Sequence, residues 1–462
     1  MRLPFRGRAT ALVAMGLLLS ALALPSWAQQ FPDTSATRAQ TNLDDEAEVA
    51  EPTASAKALF ERAKSAIVQV RLLLQSASEQ STIGSGFVVK SDPSQGTWVV
   101  TNYHVVSSLA LHPDRYRIEL RGTDQRIANA RLVAIDVRHD LAVLHIEPEP
   151  NPWPTLELRS APLSQGSHIY SLGNPLELGF LISEGLYNGL VENRLYDQIL
   201  FSGALNPGMS GGPAIDSAAH VIGVNVATRR DGELLSFLVP LTYLRPLLDA
   251  AYQSQPQDKW LPEIGRQLSE HQAFITARLL GKPDGESDAR TASGNGLSSQ
   301  TLVNRAVVTL DSRITRCWAA GSTSDKAKIH SDSLNCRMND SLYVSEGGYT
   351  GYLDIRHTLM RNKSLATAQF LGLRSDPGYY GLGGGSRTAP RCKQTYVQAK
   401  AHAYRTTVCM KAYQKFDKLY DVTVEAEQID DTQERLTSVL SLSGFSFENA
   451  QRLGKVFMER LQ

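Results

Sequence analysis

Along this chain the apolar residues keep three rhythms, and the changes between them mark the elements. Residues 10–24 are almost continuously apolar behind the basic residues Arg2, Arg6 and Arg8. Residues 54–64 place Ala58, Leu59 and Ala63 near helical spacing, which predicts a short helix. From residue 66 the apolar runs shorten to four to seven residues, at 66–72, 86–89, 97–101, 116–120, 131–135 and 141–146. Turn signals such as Asp92-Pro93-Ser94-Gln95-Gly96 separate them, so each run reads as a short strand. Beyond a proline-dense connection at 148–154, a second set follows at 168–172, 180–191, 198–202, 214–215, 221–227 and 234–239.

Residues 241–280 return to helical spacing, with Leu244, Leu247, Leu248 and Ala251, then Leu261, Ile264 and Leu268. Residues 282–300 are rich in Gly, Ser and charge and read as a linker. The remainder, 301–462, is expected to form a separate α+β accessory domain. Strand-like alternation appears at 302–310, 395–404 and 420–426. Its last stretch reads as an amphipathic helix, capped by Ser446, with Phe447, Leu453, Phe457 and Leu461 on one face.

Two features of the chain concern its compartment. The basic start, the apolar run and Ser26-Trp27-Ala28 have the form of a secretory signal peptide over 1–28, cut after Ala28. Residues 29–53 end in Asp44, Asp45, Glu46, Glu48 and Glu51 and are expected to be a disordered lead-in. No later segment has the length and apolarity of a membrane span. Four cysteines, Cys317, Cys336, Cys392 and Cys409, all lie in the last third. In an exported protein they are expected to form two disulfides; three connectivities exist, and the sequence-near pairs Cys317–Cys336 and Cys392–Cys409 are favoured. A zinc site is the rival reading, but no CxxC pair or neighbouring histidine cluster supports one. Lys+Arg and Asp+Glu both total 47, leaving no net charge to steer nucleic acid or anionic membranes.

The candidate chemistry centres on Asn206-Pro207-Gly208-Met209-Ser210-Gly211-Gly212-Pro213. Small, turn-forming residues on both sides of Ser210 let the backbone approach a substrate closely. Such a loop can aim the Gly208 and Ser210 N–H groups, with help from Met209 N–H, at one developing oxyanion. A serine hydroxyl needs a base, and the base needs an orienting group. His104, in Thr101-Asn102-Tyr103-His104-Val105-Val106, is the candidate base. Asp140, at the head of the apolar run in His139-Asp140-Leu141-Ala142-Val143-Leu144, is the candidate orienting acid. His139 is expected to be a surface or packing residue.

The order histidine, aspartate, serine is that of the chymotrypsin-type arrangement. With Gly84-Ser85-Gly86-Phe87, Gly173-Asn174-Pro175, Val221-Ile222-Gly223-Val224-Asn225 and Ser236-Phe237-Leu238-Val239-Pro240, these boxes resemble, in order, the trypsin-like serine proteases of the HtrA (Deg) type. The resemblance runs over about 57–250 and implies a protease domain at 54–250, mainly β, built from two six-stranded antiparallel barrels with the active site between them. A helical segment and linker at 251–300 would lead to the accessory domain. The resemblance further implies a serine endopeptidase that takes protein or peptide substrates, uses no cofactor or metal and works outside the cytoplasm, in a periplasm first and as a secreted protein as the alternative. It puts Ala204 at the floor of the primary pocket and Asn225, Val226 and Ala227 in its wall, so a small or medium aliphatic residue is expected before the scissile bond. Two departures stand out. Met209 replaces the usual asparagine, and the PDZ domain expected after the protease has no match; Gly381-Leu382-Gly383-Gly384-Gly385 is a lone glycine cluster. A latent chaperone or binding module, gated by 301–462 or a partner docked there, and an esterase are the other classes this sequence fits.

Overall fold

The computed structural model describes residues 54–77, 79–174, 179–228, 235–254, 257, 259–280, 296–322, 326–345, 348–373, 386–399 and 401–461. The leader, the acidic lead-in and the glycine cluster at 381–385 lie outside the described residues, as does most of the expected linker.

A first helix, α1 (Ala54–Ala63), leads into six strands: β1 (Ile67–Leu74), β2 (Glu79–Asp92), β3 (Gly96–Thr101), β4 (Tyr116–Gly122), β5 (Ile127–Asp136) and β6 (Leu141–Ile146). They close into an antiparallel barrel in the order β1-β2-β3-β6-β5-β4. A second barrel repeats this connectivity with β7 (His168–Gly173), β8 (Leu181–Leu190), β9 (Ile199–Phe201), β10 (Pro213–Ile215), β11 (Val221–Thr228) and β12 (Ser236–Pro240). The two-barrel expectation holds. A helix that the strand pattern had hidden, α2 (Tyr103–Leu111), interrupts the first barrel between β3 and β4. Tyr103, Val105, Val106, Ala110 and Leu111 turn into that barrel's core, whose apolar side chains hold the helix in place.

Two helices follow the barrels. In α3 (Leu241–Gln253), Leu244, Leu247, Leu248 and Ala251 are buried against the barrels. The second, α4 (Leu261–Leu280), is 20 residues long, about 30 Å. Its buried side runs Ile264, Leu268, Ile275 and Leu279, spaced for one helix face. Ile264 and Leu268 join the first barrel's core, while Ile275 and Leu279 join the core of the C-terminal sheet. One helix is thus a strut between two cores.

The C-terminal part begins earlier than expected. Residues 297–300, read as linker, belong to β13 (Leu297–Leu302), which pairs with β14 (Arg305–Leu310) across a turn at Val303. The run 302–310 is therefore a turn and one strand, not one strand. Seven antiparallel strands then form a single sheet: β15 (Thr315–Gly321), β16 (Ile329–Met338), β19 (Tyr352–Asn362), β20 (Arg391–Ala399), β21 (His402–Ala412), β22 (Tyr420–Gln428) and β23 (Glu434–Phe445), in the order β15-β16-β19-β23-β22-β21-β20. The expected strand at 395–404 spans the β20–β21 turn. A small hairpin, β17 (Leu342–Ser345) with β18 (Gly348–Thr350), stands apart from this sheet. The short α5 (Thr367–Gly372) precedes β20, and α6 (Phe447–Glu459) closes the fold. Ser446 caps α6 by accepting the Asn449 N–H, as expected, but Phe447 is 57% exposed and not part of its buried face.

Both disulfides form with the expected pairing. Cys317–Cys336 joins directly opposed residues of β15 and β16, and Cys392–Cys409 joins opposed residues of β20 and β21. Each bridge therefore staples one edge of the seven-stranded sheet to its neighbour. Among the described residues no helix is long and apolar enough to cross a membrane.

Candidate active site

His104 sits in the first turn of α2, just after the buried Asn102. Asn102 does not cap the helix with its side chain. Its Nδ2 instead donates to the Asp140 carbonyl at 2.8 Å, and Tyr103 N–H donates to the same oxygen at 3.2 Å. The start of α2 is thereby tied to the β5–β6 turn. Asp140 adopts φ +56°, a conformation that costs most residues energy but suits aspartate better than most. Asp136 sets up that turn: its Oδ1 accepts the Arg138 and His139 N–H groups at 3.1 and 3.2 Å. Burial pushes the Asp136 carboxyl up, yet the His139 hydrogen bond and the neighbouring His139 and Arg138 charges hold it below the usual carboxylate range.

The result is a two-point grip on the histidine. Asp140 Oδ2 lies 2.6 Å from His104 Nδ1, and Asp140 Oδ1 accepts the His104 backbone N–H at 2.8 Å. With Nδ1 donating to the carboxylate, Nε2 carries the lone pair. Burial alone would lower the imidazole pKa; the Asp140 charge and hydrogen bond outweigh it and raise the pKa above the ordinary 6.5. His139 turns elsewhere: its ring stacks on Tyr243 at 3.6 Å and meets Tyr196 edge-on at 4.7 Å, a packing role.

The serine loop is held from three sides. Gly208 and Gly211 have φ of +95° and +85°, and a Cβ at Gly211 would stand 2.3 Å from the Ser85 carbonyl. Ser85, fully buried in β2, is the fastening: its N–H donates to Ser210 O at 2.8 Å and its Oγ donates to Gly208 O at 2.7 Å. The same Oγ accepts the Asn174 N–H at 2.9 Å. One serine thus joins the first barrel to two loops of the second. The Gly84–Phe87 box was visible in the sequence, but its serine gave no sign of this role.

Two expected assignments are corrected here. Met209 N–H donates to Asn206 O at 3.0 Å, so it closes the turn and does not face an oxyanion. The Met209 side chain is fully buried among Ile169, Phe201 and Leu238, which anchors the loop where asparagine was expected. Among the described residues the Gly208 and Ser210 N–H groups have no intramolecular acceptor, so these two remain the candidate oxyanion donors. Asn225 does not wall a pocket. It is fully buried, and its Nδ2 donates to Leu172 O at 3.0 Å and Met209 O at 3.3 Å while its backbone pairs with Gly211 and Gly212.

Ser210 Oγ donates to the Val226 carbonyl at 3.4 Å, a long bond, and not to His104. Val226 sits at an irregularity in the β11–β12 ladder, between Asn225 and Ala227. Of the four residues expected to shape the primary pocket, Val226 lines a cavity of about 510 Å³ that also reaches His104 and Asp140. Ala204 is half-buried and lies outside that lining, and for Ala227 only the backbone, in β11, is described. The cavity's other wall is Asp340 to Tyr343 and Tyr349, from the C-terminal part of the chain. No local sequence signal pointed there. Among the described residues no cluster of His, Cys, Asp or Glu has the geometry to hold a metal ion.

Residues 84–224 match the family model of the trypsin-like peptidase domain. Serine protease HTRA2, mitochondrial, of Bos taurus is 32% identical over 194 residues, 40% of this chain and 39% of that protein. A Pseudomonas fulva protein named "Probable periplasmic serine endoprotease DegP-like" is 29% identical over 205 residues, 42% of this chain and 40% of that protein. The chain thus spans about two fifths of the length of these curated relatives. The crystal structure of the serine endoprotease from Yersinia pestis aligns at 24% identity and a TM-score of 0.37, covering 44% of this chain and 68% of that one. On the family match, residues 84–224 of this chain carry a trypsin-like peptidase domain, similar in sequence to those of HTRA2 and DegP-like serine proteases.

Proposed function

We propose that this protein is a serine endopeptidase that hydrolyses peptide bonds through an acyl-enzyme, with Ser210 as nucleophile, His104 as general base and acid, and Asp140 as its orienting acid. The observation that carries the reading is the two-point Asp140–His104 contact, at 2.6 and 2.8 Å, beside a serine loop with two unpaired N–H groups. Ser210 Oγ attacks the scissile carbonyl carbon as His104 Nε2 takes its proton. The oxygen that gains charge is stabilised by the Gly208 and Ser210 N–H groups. His104 then gives the proton to the leaving amine as the C–N bond breaks. Water, deprotonated by the same nitrogen, attacks the acyl carbon, and the proton returns to Ser210 as the acid product leaves. Asp140 keeps the imidazole in the required tautomer and stabilises the imidazolium throughout.

A second reading has its own support. Ser210 Oγ is turned to the Val226 carbonyl, which fits a resting site that must rotate one side chain before it can react. That is a latent protease, and a substrate or partner acting near the C-terminal wall would be its trigger. We further propose that the protein is exported, on the strength of the basic and apolar pattern of residues 1–28, and that it works in a periplasm, in line with the name of the Pseudomonas relative. Its substrates would be unfolded or specific extracytoplasmic proteins.

The test is fluorophosphonate labelling of the wild type and Ser210→Ala, followed by casein digestion. Labelling that disappears in the variant, with casein cleaved, is the expected result. Labelling without cleavage favours an esterase or restricted specificity, and a folded wild type that never labels removes the active-protease reading in favour of latency.

A further inference from the structure

Residues 339–345, with β18 (Gly348–Thr350) paired to them, form a strap that reaches from one barrel to the other at the candidate site. On the second barrel's side, Asp340 Oδ1 accepts Arg194 Nη1 at 2.8 Å, its Oδ2 accepts the Leu195 N–H at 2.6 Å, and Asn339 Nδ2 donates to Asn193 O at 2.7 Å. On the first barrel's side, the buried Tyr103, next to His104, donates its hydroxyl to Val344 O at 3.1 Å. Leu342 and Val344 are themselves buried in the first barrel's core. Asp340 and Val344 are therefore both fixed to the catalytic framework, with Tyr343 held between them and Tyr349 following in β18.

The wall that the strap gives the cavity is aromatic. The Tyr343 ring stands edge-on to the His104 ring at 5.9 Å, and Tyr349 stands edge-on to Tyr343 at 5.6 Å. Tyr196 and Tyr243 line the same cavity from the protease side, together with Leu342 and Val226. Asp340, at its edge, has both oxygens engaged by Arg194 and Leu195. A concave space of about 510 Å³, in which tyrosine rings and aliphatic side chains share the lining with serine, threonine and charged groups, has room for an apolar side chain against its aromatic wall. Edge-to-face contact with tyrosine rings is a favoured arrangement for a further aromatic group.

We propose that the strap supplies a substrate subsite, in which Tyr343 and Tyr349 receive an aromatic or large aliphatic side chain of the bound peptide close to His104. The proposal rests on the endopeptidase reading above. It makes the C-terminal part of the chain a component of substrate selection. Because the wall is held before substrate arrives, little ordering entropy opposes the contact.

The test uses the full chain and peptides that differ only in carrying Phe or Ala at each position flanking the scissile bond. For the wild type, Phe is expected to raise kcat/KM by roughly tenfold or more at one position. Tyr343→Ala and Tyr349→Ala should each cut that Phe/Ala ratio about fivefold or more, whereas Tyr343→Phe and Tyr396→Ala, the latter on edge strand β20, should keep it. Fluorophosphonate labelling of each variant reports separately on the competence of Ser210. Labelled alanine variants that retain the wild-type ratio overturn the subsite, as does an equal loss on both peptides or a wild type with no preference. A wild type that neither labels nor cleaves brings down the endopeptidase reading first, and the subsite with it. If Tyr343→Ala does not fold, Tyr349→Ala decides, since that side chain is 56% exposed.

Discussion

At the residue scale the candidate site depends on how one carboxylate treats one imidazole. Burial works against a charged His104, and the Asp140 charge and hydrogen bond more than reverse this. His104 acts as a base only when neutral, so the rate should rise with pH, with a midpoint above the ordinary histidine value of about 6.5. Asp140→Asn removes the charge but keeps a residue that tolerates φ +56°. Burial then acts unopposed, so the midpoint should move to lower pH while kcat falls by roughly 10³–10⁴-fold. A pH–rate profile of both proteins checks this, and an unmoved midpoint would show that Asp140 is not what raises the imidazole. The His104–Asp140 contact was foreshadowed in the sequence, because each of the two sits in a box of fixed local composition. Met209 N–H is taken locally by Asn206 O, but Ser85 was missed and Asn225 misread for one shared physical reason. Their work is to bond backbone groups far away in sequence, as Ser85 does at Gly208, and no local pattern records that.

Elements show the same division. Most barrel strands were legible, since their apolar runs are bounded by turn residues, and 141–146 was placed to the residue. The helix α2 was hidden because its sequence, Tyr103 to Leu111, is apolar and β-branched in part, and only burial in the barrel makes it helical. The spacing of α4 was legible; its polar clamps were not. Gln267 Oε1 accepts the Val137 N–H at 2.7 Å, and its Nε2 donates to Ile135 O at 2.9 Å. These are the backbone groups just ahead of the turn that presents Asp140. Gln272, five residues on, accepts from Asn449 Nδ2 at 2.7 Å, so the same helix also holds the start of α6. Replacing Gln267 by Ala would leave a buried donor and a buried acceptor without partners, a loss on the order of 2–4 kcal/mol in unfolding free energy. Urea titration of Gln267→Ala is the measurement, together with kcat, which should fall more than KM changes as Asp140 loses its support. A midpoint equal to the wild type would mean that water replaces the amide at no cost.

For the whole molecule, what the sequence least disclosed is that the parts share their cores. The described residues, from Ala54 to Leu461, fall in one compact unit, and side chains from β17 and the 413–419 region complete the first barrel's core. A linker-like composition at 282–300 gave no hint of this, because composition describes a segment and not what its two ends pack against. His271 stands where these parts meet. From α4 its Nε2–H donates to Gly351 O at 2.7 Å, just past the strap, and its Nδ1 accepts the Tyr196 hydroxyl of the second barrel at 2.7 Å. His357, inside the C-terminal sheet, is bonded in the same manner, to Val308 O and the Ser438 hydroxyl, each at 2.7 Å. Burial depresses both imidazoles to about 4. The unfolded chain would bind protons at these residues near pH 6.5, so it binds more protons than the fold between about 6.5 and 4. Stability should accordingly be flat with respect to these groups above that window and fall as the pH drops through it, by on the order of 2 kcal/mol for each histidine by about pH 5. Urea unfolding at about pH 7 and pH 5 should therefore give a difference that shrinks in His271→Gln and again in the double variant with His357→Gln. If both variants lose as much on acidification as the wild type, the acid sensitivity belongs to other groups. If only His271→Gln blunts the loss, the joint between strap, strut and second barrel is where acid first enters the fold.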